Sequence, residues 1–272
     1  MSAMSENKWF EKIHVPSDNF LPELKASCGI CCVFCGHPIC YIVNVKKRLT
    51  REQRLPEDII LLCPEHYEKW IKSTHKTTAL QKFRQSSTPC LEIEGTDLPF
   101  QIKAFETVSL KMGHFVQSWT QDGLTKLIKP LITIDEVIVF GIKVFRAQLL
   151  VTLSLFDKYN NRLLIVRDSL IEHAAANVRI LFLKNMLTIL KNNEVIFALH
   201  YHYPNKLELK TGKFMLNGVG VSVNNNMIHV DEKPVKSVDK KNGQDFSLIH
   251  IGVAEKKPRS IIYLPNVDRY KK

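Results

Sequence analysis

The sequence has no apolar run long enough to cross a bilayer. Its opening residues, Met1-Ser-Ala-Met-Ser-Glu-Asn-Lys8, hold no apolar core of the kind a secretory leader needs. It has no Gly-rich phosphate loop and no nucleophile elbow, so two common signatures of enzyme chemistry are missing. No fixed repeat period emerges. The second half has no helical patterns interleaved with its strand-like runs, which argues against a parallel α/β sheet. What it does have is seven cysteines in 272 residues, five of them between Cys28 and Cys40. That crowding suits a reducing compartment and a metal better than disulfides, and predicts a cytoplasmic protein with no membrane partner.

The formal net charge is +11 and the pI about 9.3. A basic balance of this size favours an anionic partner, and nucleic acid is the commonest one.

The most specific motif is Cys32-Val-Phe-Cys35-Gly36, answered by Cys63-Pro-Glu-His66. Each hook sets two soft ligands one tight turn apart. Together they offer three sulfurs and an imidazole, a closed tetrahedral set for a structural zinc ion. Gly36 allows the sharp turn after the second sulfur. Cys28 and Cys31 form an overlapping hook and remain alternative ligands, although no turn glycine follows them. The run from Cys63 through Trp70 and Ile71 reads as an amphipathic helix.

Along the chain, residues 1–18 read as a flexible lead-in and 19–90 as the zinc domain. Residues 91–130 read as a connector, with either helical or short-strand spacing through Val108, Leu110, Met112, Phe115, Trp119, Leu124 and Leu127. Residues 131–230 hold many short β-branched runs, among them 132–140, 149–156, 162–166, 178–183, 186–190, 195–199, 206–209, 214–216 and 219–223. Turn chemistry separates them at Asn160-Asn161, Lys184-Asn185, Asn192-Asn193, Pro204-Asn205, Thr211-Gly212 and Asn217-Gly218, which predicts an all-β domain, sandwich or short solenoid. Residues 231–272 form a Lys-rich tail whose patch Ile261-Ile-Tyr-Leu264 offers an edge strand. The predicted class is therefore α+β: a small treble-clef zinc domain, then the all-β domain.

The stretch Leu55-Pro-Glu-Asp58-Ile-Ile-Leu-Leu-Cys63-Pro-Glu-His66-Tyr67, following a Cys-x-x-Cys knuckle and the strand Cys40-Tyr41-Ile42-Val43, resembles the zinc-stabilised form of the HNH nuclease superfamily. The resemblance covers residues 21–85. A weaker likeness of the β-rich remainder to domains of some bacterial HNH-like proteins implies a mobile-element or antiviral-defence setting. In active members a strand histidine activates water, and a helix histidine helps hold a divalent ion at the scissile phosphate. Those positions fall here on Tyr41 and Tyr67, and the family's asparagine falls on Asp58. A phenol of ordinary pKa near 10 is a poor general base at neutral pH and a poor ligand for a hard cation.

The resemblance therefore implies an inactive HNH-like module that binds DNA or RNA. Lys46, Lys47, Arg48, Arg51, Arg54, Lys69 and Lys72 are the candidate phosphate contacts. One alternative is an active endonuclease using magnesium or manganese, rebuilt around His37 and Asp58 with Tyr41 as a third candidate. Another is a protein-interaction subunit of a larger complex. His200 and His202 alternate with Leu199, Tyr201 and Tyr203, and read as a solvent-facing pair rather than a metal site.

Overall fold

A computed structural model describes residues 31–44, 59–72, 100–102, 107–120, 124–125, 128–145, 147–224, 226–235, 247–252, 260–264 and 269. The chain divides into two units, Met1–Thr96 and Asp97–Lys272.

In the first unit, β1 (Tyr41–Asn44) and β2 (Ile59–Leu62) pair antiparallel, with Tyr41 opposite Leu62. All four residues of β2 are buried. The helix α1 (Pro64–Lys72) follows at once. Cys63 caps it, its carbonyl accepting the Tyr67 amide at 2.8 Å. Pro64 suits the first helical position, where no amide hydrogen is needed. Val43, Ile60 and Leu62 form a small core, against which Val33, Tyr41, Tyr67 and Trp70 pack.

The second unit is made of two sheets. One runs in the order β18-β17-β5-β6-β7-β8-β9. These are Ser260–Leu264, Ser247–Ile251, Lys129–Ile134, Val137–Phe145, Gln148–Phe156, Arg162–Arg167 and Leu170–Ala174. The other runs β10-β11-β12-β13-β14-β15-β16, from Val178–Leu183, Met186–Lys191, Glu194–His202, Lys206–Leu216, Val219–Asn224 and Met227–Val230 to Lys233–Pro234. The hairpin β3 (Thr107–Met112) and β4 (Phe115–Thr120) joins this second sheet, β3 lying parallel to β13. The sheets face each other across aromatic rings: Phe140 of β6 lies 5.5 Å from Phe197 and 6.1 Å from Phe214.

The α+β treble-clef expectation is overturned. Of the described residues, 67% lie in strands and 7% are helical, and α1 is the one named helix among them. Residues 19–25 and 77–84, where Phe20, Leu21 and Leu24 and then Leu80 and Phe83 predict two further short helices, lie outside the described residues. Residues 107–120 take the strand option. Val108, Leu110 and Met112 are buried at every second position, and the turn at Gly113 adds the offset that imitates helical spacing. Stacked solenoid rungs are also excluded, because successive strands pair as antiparallel hairpins from β5 to β9 and from β10 to β16.

Two local expectations change as well. The single strand read over 132–140 is a hairpin, broken at Asp135-Glu136, both at positive φ. The turn read at Thr211-Gly212 lies inside β13, where a Cβ on Gly212 would stand 2.6 Å from the Phe214 ring. The glycine is there to let that ring pack over the backbone.

Candidate metal centre

The two hooks converge. The Cys32 amide donates to the His37 carbonyl at 2.9 Å, and the Gly36 amide donates to the Cys32 carbonyl at 2.9 Å. Gly36 has φ 70°, so the knuckle closes in a conformation that only glycine adopts without strain. The Val33 amide reaches the Leu61 carbonyl at 3.1 Å, which holds the knuckle against β2. One turn of α1 then brings His66 back beside Cys63.

The ligand atoms of Cys32, Cys35, Cys63 and His66 all lie within 4.8 Å of one another. Cys35 Sγ and Cys63 Sγ are 3.7 Å apart. His66 Nδ1 is 3.6 Å from Cys32 Sγ and 3.2 Å from Cys63 Sγ. A tetrahedron with metal–sulfur bonds of about 2.3 Å has sulfur–sulfur edges of about 3.8 Å and slightly shorter sulfur–nitrogen edges. The donor set therefore fits zinc in size, number and softness. Cys32 and Cys63 are buried, His66 is half-buried, and Cys35 is exposed.

The three thiols perturb one another. Hydrogen bonds from Cys35 and Cys63 hold the Cys32 thiol well below its ordinary value, and sharing a site with Cys32 pushes the other two up. A cation that favours all three thiolates resolves this conflict. Cys31 is buried and disulfide-bonded, which removes it from the ligand set and departs from the thiol-only expectation for the cysteine cluster. Cys40 is buried, and its thiol donates to the His37 carbonyl at 3.3 Å.

Four residues around the centre matter. Phe34, between the hook cysteines, stacks its ring 4.9 Å from that of His66 and fixes the imidazole plane. The sequence reading missed this role; the only signal was an aromatic inside the knuckle. His37, the candidate substitute base, is buried. Its Nδ1 accepts the Ile39 amide at 3.0 Å, and burial pulls its pKa down to about 4. Tyr41 and Tyr67 pack on each other at 4.6 Å. Burial pushes Tyr41 up to about 12 and raises Tyr67 also.

Asp58 and the basic run Lys46, Lys47, Arg48, Arg51 and Arg54 lie outside the described residues, as does His75. Lys69 and Lys72 are exposed on α1, each paired with a glutamate four residues earlier. Lys69 meets Glu65 at 2.6 Å and Lys72 meets Glu68 at 3.7 Å, so the four charges cancel along the helix. In the second unit, the His200 and His202 rings lie 4.0 Å apart, and His202 Nε2 is 3.3 Å from Glu208. Asp168 is buried with Lys143 at 3.7 Å, and His173 Nε2 donates to the Arg162 carbonyl at 2.9 Å. Among the described residues no helix is long and apolar enough to cross a membrane. No protein-family model, curated protein or solved structure matches this chain.

Proposed function

We propose that this chain is a nucleic-acid-binding protein whose first unit is held by a structural zinc ion and keeps the hooks of the HNH superfamily without its cleavage chemistry. The observation that carries the reading is the convergence of Cys32, Cys35, Cys63 and His66 beside a Tyr41–Tyr67 pair that stays protonated at neutral pH. A protonated phenol cannot take a proton from water, and a neutral one holds magnesium or manganese poorly. His37 is a weak substitute base, because its Nδ1 already accepts a backbone amide. The net charge of +11 supports a polyanionic partner.

The test is a cleavage and binding assay on zinc-loaded protein, with plasmid and single-stranded substrates and magnesium or manganese added separately. Salt-sensitive binding without cleavage is the expected result. Cleavage abolished by His37→Ala or Asp58→Ala would replace this reading with that of a rebuilt endonuclease.

A second reading, a protein-docking subunit, is favoured by β10. This edge strand leaves Leu181 41% and Leu183 71% exposed, a surface suited to strand addition. Protein capture that persists while oligonucleotide binding is absent would favour it.

A further inference from the structure

The positive charge is not spread evenly. Residues 1–96 hold 13 Lys and Arg against 11 Asp and Glu, a surplus of only +2. Residues 97–272 hold 25 against 16, a surplus of +9. The described lysines of the first unit, Lys69 and Lys72, are matched by glutamates on the same helix. The surplus that attracts a polyanion therefore resides in the β unit.

Within that unit, many charges are neutralised singly. Arg167 meets Glu172 at 3.3 Å, Lys213 meets Glu194, and Arg269 meets Asp135 at 2.6 Å. Among the described residues one place breaks the pattern. Glu208 on β13 is shared by Lys210 at 2.6 Å, Lys111 at 3.1 Å and His202 at 3.3 Å. Strand register explains the gathering. Glu208 lies opposite His200 of β12 on one side and Lys111 of β3 on the other, and Lys206 lies opposite His202 and Ser109. Side chains at Lys206 and Glu208 share a face because they are two residues apart. Lys210, two residues further on, keeps the same alternation, and a register shift opposite Ala198 and Leu199 leaves it without a cross-strand partner on β12, within reach of the same carboxylate. The next strand out continues the row with Ser118 opposite Ser109.

This face points away from the sandwich core, since Leu207, Leu209, Leu199 and Tyr201 take the buried positions between its members. Lys111 is 42% and Lys210 38% exposed, and Lys206 is exposed. Two lysines thus meet one carboxylate and a third, Lys206, stands on the same face, a surplus of two before either histidine is charged. They lie on two adjacent strands, with the histidines on a third, across about 10 Å of open sheet. Glu208 holds the cations together without cancelling them.

The geometry points to this face of the nine-stranded sheet, centred on Lys111, Lys206 and Lys210, as the surface that takes the phosphate backbone of nucleic acid. The inference rests on the nucleic-acid reading above and places the contact in the β unit rather than on α1. Contacts of this kind give affinity without sequence preference and fall steeply with salt.

The experiment uses the full zinc-loaded chain and fluorescence anisotropy with labelled single-stranded and duplex oligonucleotides, from about 50 to 200 mM salt. The variant is Lys111→Gln, Lys206→Gln and Lys210→Gln together, with Lys69→Gln and Lys72→Gln as the comparison pair. If all three lysines meet phosphates, the slope of log K against log salt should flatten by about 2 to 3, and affinity near 0.1 M salt should drop by roughly a hundredfold or more. The α1 pair should bind as the wild type does. Should the triple variant fold poorly, Lys206→Gln alone, which breaks no ion pair among the described residues, should flatten the slope by about 0.7 to 0.9. Wild-type binding that both sheet variants leave unchanged would overturn this inference and leave the nucleic-acid reading standing. A wild type that binds no oligonucleotide, or binds only inorganic polyphosphate, would overturn both.

Discussion

Replacing Arg269 by alanine should loosen one end of the β unit. The guanidinium donates to both carboxylate oxygens of Asp135, at 2.6 and 2.8 Å, and to the Asn217 carbonyl at 2.7 Å. Asn217 Nδ2 also donates to Asp135 at 2.9 Å, and the Asn217 amide donates to Asn160 Oδ1 at 2.8 Å. One side chain near the end of the chain therefore ties two hairpin turns, one from each sheet, and Asn217 links them to a third at Asn160. Two-pronged charge-assisted bonds are strong when buried. Here the side chains are 41% and 25% exposed, so solvent screening reduces the net contribution to about 1–2 kcal/mol. In a unit of this size that corresponds to a fall in Tm of about 2–8 °C. Arg269→Lys should fall between, because an ammonium cannot make the fork. Asp135→Asn is the right partner for a double-mutant cycle, since Asp135 sits at φ 46°, where asparagine is tolerated and alanine is not. The coupling should be about 1 kcal/mol. An unchanged melt for Arg269→Ala, or additive single effects, would refute the reasoning.

Two further outcomes follow from packing and charge. Gly212→Ala should cost about 1–3 kcal/mol in denaturant melts, because its Cβ would stand 2.6 Å from the ring of Phe214, which is fully buried against Phe140 and Phe197. A variant as stable as the wild type would show that the ring moves freely. Lys210, then Lys111 and His202, hold the Glu208 carboxyl down to about 2. A depressed folded-state value means that its stabilisation is full above the ordinary glutamate pKa near 4.3 and is lost as pH falls toward 2. The wild type should therefore exceed Glu208→Gln by about 1 kcal/mol after screening at neutral pH, and the gap should close in acid. A gap independent of pH would mean that packing, not charge, is responsible.

How much was readable in advance depended on how local the cause was. The zinc hooks were legible because each is a short local spacing, the first closed by Gly36, and the fold brings those same four side chains together. Hairpins were legible where asparagine or glycine occupied the positive-φ positions, as at Lys184-Asn185, Asn192-Asn193 and Asn217-Gly218. They were hidden at Asp135-Glu136, Asp168-Ser169 and Asp231-Glu232, where residues less typical of such turns take the same conformation. Gly212 misled for the opposite reason: its cause is the Phe214 ring, not a turn. The α+β class rests on the zinc domain alone, and it fails because α1 is the one named helix among the described residues while strands fill 67% of them. The pairing of β17 with β5 joins residues more than a hundred positions apart, and Arg269 reaches Asp135 over a similar span. No local pattern encodes either contact.

The zinc centre itself is open to the most direct test. Metal content measured on purified full chain, with cobalt substituted to report the ligand field, should give one ion per chain in a tetrahedral three-sulfur, one-nitrogen environment. Cys63→Ser should lose the ion and unfold the first unit, since a small metal-held core draws much of its stability from the bond. A chain that binds no zinc, or a Cys63→Ser protein that keeps a full equivalent, would contradict the assignment of Cys32, Cys35, Cys63 and His66.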